Sequence, residues 1–192
     1  MKRWLLVLLF NFAHADVKSA HLRDIMLGTI DPSADVLWSS SGTIIDKDGV
    51  HELAPSSAED WQKLSVAAKQ LREGAARLIT GFSKVAPEGH RSEAPGIELE
   101  PKEIEKLIGK RRPEFNKLAR ALDQVAAQFE SAIVNKNKMA LLDLGERLEH
   151  ACESCHSTFW YPNQGPSLPW PSRKRGRSSL ERGSASFLIS DK

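Results

Sequence analysis

At 192 residues, 41% hydrophobic and 27% charged, with two cysteines, the chain has room for one domain and a tail. Two cysteines exclude a disulfide-stapled framework and a four-cysteine zinc site. A net charge of +2 excludes the strongly basic footprint of a nucleic-acid binder, and the richness in Ala, Leu, Lys and Glu favours helices.

Residues 1–15 read MKRWLLVLLFNFAHA: Lys2 and Arg3, an apolar run from Trp4 to Phe12, then Ala13-His14-Ala15. A basic start, a short apolar stretch and an A-x-A site predict a secretory signal peptide cleaved near Ala15. The run is too short to cross a bilayer, and no cysteine follows the site to carry a lipid. Removing residues 1–15 takes the formal charge from +2 to 0. The mature chain is therefore expected in the periplasm, with no membrane span.

The body, residues 16–161, carries 19 basic and 23 acidic residues, a net of −4. Its first helix is irregular: Leu22, Met26 and Ile30 align, and Asp31-Pro32 kinks or restarts it before Leu37 and Trp38. Between Gly42 and Pro55, Asp46-Lys47-Asp48-Gly49 marks a turn between two short extended pieces. An EF-hand fails there, because its sixth position is His51 and its twelfth Ser57. A capping box at Ser56 to Glu59 opens a second helix, with Leu64, Ala68, Leu71, Ala75, Leu78 and Phe82 in one stripe from Trp61. A Pro/Gly-rich connection follows, then a short helix from Pro101 to about Gly109. Pro113 leads into a third long stripe, Phe115, Leu118, Leu122, Val125, Phe129 and Ile133. The last runs Leu141, Leu144, Leu148, Cys152, Cys155 and Phe159. Four such helices bury their stripes only against one another, which predicts an all-α, antiparallel up-down-up-down four-helix bundle. Residues 162–192 hold six Lys or Arg against two Asp or Glu among Pro, Ser and Gly. They read as a basic disordered tail, either solvated or loosely docked on an anionic surface.

The last helix carries Cys152-Glu153-Ser154-Cys155-His156, a C-x-x-C-H motif. Two thiols at this spacing add to two vinyl groups on one haem edge, while the imidazole reaches the iron from one face. On a helix, positions i, i+3 and i+4 share a side. A thioredoxin-like pair needs a βαβ unit, which is missing; a zinc site needs at least one further ligand; a disulfide leaves His156 without a purpose. The expectation is one haem c, attached through Cys152 and Cys155. Opposite His156, in an up-down-up-down bundle, lies the start of the first helix, where Met26 shares a stripe with Leu22 and Ile30. Met139 stands 17 residues before His156, roughly 25 Å along the helix, and is out of reach. Met26 is thus the methionine available as distal ligand, with core filling as its alternative reading and His21 as a second candidate ligand. Leu22, Ile25, Ile30, Leu148, Ala151 and Phe159 are expected to wall the haem.

A C-terminal C-x-x-C-H on the last helix of an exported all-helical chain resembles the cytochrome c′ and cytochrome b562-like group of four-helix cytochromes. MLGTIDPSADVLW, from Met26 to Trp38, and the ending CESCHSTFWYP resemble a bacterial branch of that group. The resemblance spans roughly Val17 to Tyr161; residues 162–192 depart from it. It implies covalent haem c, His156 as proximal ligand, Met26 as distal ligand, and pairing into homodimers through the first helix. The leading expectation is a monohaem electron carrier rather than an enzyme, passing single electrons between redox proteins. Two alternatives follow if Met26 only packs beside the haem. One is a five-coordinate protein that binds nitric oxide or carbon monoxide; the weaker is a peroxidase, for which only His21 or Arg23 would serve as distal acid-base group.

Overall fold

The computed structural model describes residues 20–40 and 42–164. The expected signal peptide and the expected tail beyond residue 164 lie outside the described residues. The described residues are mostly helical, with one two-stranded antiparallel sheet among them.

The first helical stretch is α1 (Leu22–Ile25), a π-helical turn (Met26–Ile30) and α2 (Asp31–Trp38). Pro32 explains the wide turn. It has no N–H to give, and its ring crowds the carbonyl four residues back. Asp31 N–H instead reaches the Met26 carbonyl, one residue further back than in an α-helix. Buried Ser33 donates its hydroxyl to the Thr29 carbonyl at 2.6 Å. The helix therefore widens before the proline and continues, where the sequence predicts a kink or restart.

Strands β1 (Gly42–Asp46) and β2 (Gly49–Leu53) pair with Ile45 opposite Val50 and Asp46 opposite Gly49. Asp46 accepts the Asp48 N–H at 2.9 Å, and Gly49 takes the positive φ of 129° that glycine tolerates. Helix α3 (Ala58–Thr80) starts on a capping box one residue later than expected. Ser57, not Ser56, is the N-cap; its Oγ accepts the Asp60 N–H, while Asp60 Oδ2 accepts the N–H groups of Ser56 and Ser57. Asp60 thus outcompetes Glu59 for the box.

Helices α4 (Pro101–Lys110), α5 (Arg112–Val134) and α6 (Lys138–Phe159) follow. Pro113 sits in the first turn of α5, as its spacing predicts. Helix α3 packs on α5, α5 on α6, and the first helical stretch on α3. Arg112 donates to the Leu78 and Ile79 carbonyls at 3.1 and 3.3 Å, so the start of α5 lies against the end of α3. Trp38 Nε1 donates to the Gly145 carbonyl at 3.2 Å, joining α2 to α6. The stripes close over one core in which Leu71, Phe129, Leu141, Leu148 and Phe159 are fully buried. Each such side chain contributes roughly 1.5–3 kcal/mol on burial. At Gly74 the π-helical turn comes so close to α3 that a Cβ there would lie 2.6 Å from Ile30 Cγ1.

Candidate functional site

Helix α6 presents Cys152, Cys155 and His156 toward the first helical stretch, which presents Leu22, Met26 and Ile30. Between them is an inner chamber of about 30 Å³, lined also by Leu78 of α3 and by Phe115, Leu118 and Leu122 of α5. An outer chamber of about 220 Å³ adjoins it, because Met26, His156 and Trp160 line both. Arg23, Asp31, His90 and Glu98 give the outer chamber a polar wall. Both volumes lie below the roughly 300–1,000 Å³ of sites that enclose drug-sized ligands, so seating a macrocycle requires the walls to part.

Cys152 and Cys155 are half-buried free thiols. Burial pushes each up to about 12, and Asp31, Glu149 and Glu153 add to the rise at Cys152. Both sulfurs therefore stay protonated at neutral pH. Burial lowers His156 below the usual imidazole value, against the opposing pull of the Asp31, Glu153 and Glu98 carboxylates. A neutral imidazole is the form that binds a metal. Tyr161 stands beside it, ring centroids 6.4 Å apart, and donates its phenol to Glu153 at 2.6 Å. Burial first, then that bond, raises the phenol well above its usual value. The Trp160 and His156 ring centroids lie 5.9 Å apart.

Of the residues expected to wall a haem, Leu22, Ile30 and Ala151 line the inner chamber beside Met26. Ile25, Leu148 and Phe159 do not line it; they are buried in the core, where Phe159 meets the chamber-lining Phe115 edge-on at 5.4 Å. Phe159 thus backs the wall through Phe115. His21 is the N-cap of α1, its ring 3.0 Å from Asp24, and lines neither chamber. Met139 is 74% exposed at the far end of α6. Val85, His90 and Glu98 of the outer chamber carry no motif that would have singled them out, and Asp31 stood out only as part of the Asp31-Pro32 break. Leu78, Leu118 and Leu122 stood in the stripes, undistinguished from the rest of the core.

The donor set suits haem c: two thiols and a neutral imidazole on one apolar wall, a thioether on the facing one. Among the described residues, no group of three or more His, Cys, Asp or Glu is placed to hold a bare metal ion. No helix among the described residues is long and apolar enough to cross a membrane. No family model, curated protein or solved structure matches the chain.

Proposed function

We propose that the protein is an exported monohaem c-type cytochrome of the periplasm, an up-down-up-down four-helix bundle that carries single electrons between redox proteins. One observation carries the reading: Cys152, Cys155 and His156 face Met26 across one apolar hollow. In this assignment residues 1–15 are the signal peptide, residues 16–161 the haem domain, and the cysteines hold haem c by thioether bonds. Bound haem supplies reversible Fe(III)/Fe(II) chemistry.

The chain's part is to hold and to exclude. Burial keeps the His156 lone pair free of a proton. Leu22, Ile30, Phe115 and Leu122 give the inner chamber an apolar lining, which favours the less charged metal state. Met26 offers a neutral thioether, which raises a reduction potential relative to a second histidine. None of these residues donates or accepts a proton in turnover, as suits a carrier.

The visible spectrum of the matured protein, reduced, with and without carbon monoxide, tests the reading. A sharp low-spin α band that resists carbon monoxide is expected, turning high-spin and carbon monoxide-sensitive in Met26→Ala. A parent spectrum that is already high-spin and shifts with carbon monoxide would replace electron transfer by gas binding.

A further inference from the structure

The connection between α3 and α4, residues 81–100, ties together the two walls of the hollow. At one end its backbone caps the first helix. Leu22 N–H donates to the Lys84 carbonyl and Arg23 N–H to the Val85 carbonyl, both at 2.9 Å, while Ser83 N–H donates to the Ala20 carbonyl at 3.1 Å. First-turn N–H groups have no partner inside their own helix, so the connection supplies what α1 lacks. At its other end Leu99 N–H donates to the Trp160 carbonyl at 2.8 Å, just beyond α6. Between these ties Val85 and Ala86 are buried, and Val85 N–H donates to Glu105 at 3.3 Å. Arg23 and Glu93 also pair at 3.0 Å, but their exposure of 37% and 72% makes that pair a weak clasp. The buried anchor and the backbone bonds do the holding.

We propose that residues 83–99 are a strap that sets the position of Met26 relative to His156, with Val85 as its anchor. Val85 is a positioning residue, acting through the helix start that its carbonyl caps; the proposal rests on Met26 and His156 as the iron's ligands. Met26 follows Arg23 by three residues, less than one turn, so slack at the cap passes directly to the thioether. Without the strap, α1 keeps its apolar contacts but loses the bonds that fix its start.

The test uses the full matured chain as parent, Val85→Ala, Val85→Ile and Leu141→Ala. Leu141 is fully buried near the other end of α6 and serves as a core control. Amide hydrogen exchange at Leu22 and Arg23, relative to core amides of α5, reads the cap. The reduced spectrum with carbon monoxide reads Met26. Val85→Ala removes two buried methyl groups, so exchange at the two capped amides should rise about tenfold. Part of the population should become carbon monoxide-sensitive. Val85→Ile should retain parent behaviour in both readouts, and Leu141→Ala should change overall stability with neither local effect. If Val85→Ala matches Leu141→Ala in both readouts, Val85 is ordinary core and the strap is overturned. Fast exchange with an unmoved spectrum, in a parent whose spectrum depends on Met26, overturns it equally. If the parent iron is already open to carbon monoxide, the ligand assignment of Met26 fails. The proposal falls with it, while the exchange data still report whether residues 83–99 cap α1.

Discussion

Gly74→Ala gives the sharpest test of how α3 and the π-helical turn meet. An added Cβ would stand 2.6 Å from Ile30 Cγ1, 3.3 Å from its Cδ1 and 3.4 Å from Thr29 Cγ2. The nearest atom belongs to a β-branched side chain that is 1% exposed, so it has neither rotamer freedom nor space to yield. Overpacking of this kind costs about 1–3 kcal/mol. Alanine recovers up to about 1 kcal/mol through its better helix propensity. At 2.6 Å the upper part of the overpacking range applies, about 2–3 kcal/mol, so after that recovery the expected net loss is about 1–2 kcal/mol, a fall in Tm of roughly 2–8 °C for a domain of this size. Urea unfolding followed by far-UV circular dichroism measures it without reference to haem. Ile30→Ala alone should cost about 2–5 kcal/mol by leaving a cavity. Combined with Gly74→Ala it should cost at least about 1 kcal/mol less than the sum, because the new methyl enters the space vacated. A Gly74→Ala protein as stable as its parent, or a strictly additive double variant, would refute the close-approach argument.

Cys152→Ala with Cys155→Ala should abolish haem that survives denaturing electrophoresis; retention of haem stain would sink the attachment claim. Asp60 is held below the usual carboxylate range by the N–H groups and hydroxyls of Ser56 and Ser57. Its stabilising contribution is therefore present above the unfolded value near 3.8 and is lost as pH falls below it. Asp60→Asn should accordingly flatten the acid limb of a Tm-against-pH curve below about pH 4, and an unchanged limb would argue against the capping role. Removing residues 165–192 should leave the haem spectrum intact; a lost Soret band would mean that the haem domain extends past residue 164.

The helices were legible because each long stripe repeats at three and four residues, a period that tertiary context had no reason to override. Leu64 to Leu78 lie buried where the pattern puts them, and so do Phe115 to Ile133 apart from Leu118, which is half-buried. The hairpin could be read from the Asp46 to Gly49 turn. The choice of Ser57 over Ser56 as N-cap could not, since Ser56-x-x-Glu59 and Ser57-x-x-Asp60 both satisfy the box and only packing of the incoming chain selects between them. The π-helical turn was half legible: Pro32 announces a disturbance, but not whether the helix bends, stops or widens. Within the hollow, the C-x-x-C-H spacing carried Cys152, Cys155 and His156, and helix phase carried Met26. The outer wall was silent, because Val85, His90 and Glu98 come from an irregular connection whose course depends on bonds to distant backbone. Ile25 and Phe159 show the limit of stripe reasoning: both are buried, yet burial does not say which side of the wall a residue occupies.

A π-helical turn contains one residue more than the α-helical turn that it replaces. The stretch from Leu22 to Trp38 thus carries a surplus of one residue, located between Met26 and Ile30. Gly28 sits inside it, where an added Cβ would meet nothing within 4 Å. Loss of a residue from α3 or α5 would turn everything beyond it by about 100° and carry the apolar stripe out of the core. Loss of Gly28 would instead convert the wide turn to a regular one, with Leu22 and Leu37 keeping their angular positions. Chain length and helical phase are uncoupled at this turn, although a regular turn would again set the Pro32 ring against the carbonyl four residues back.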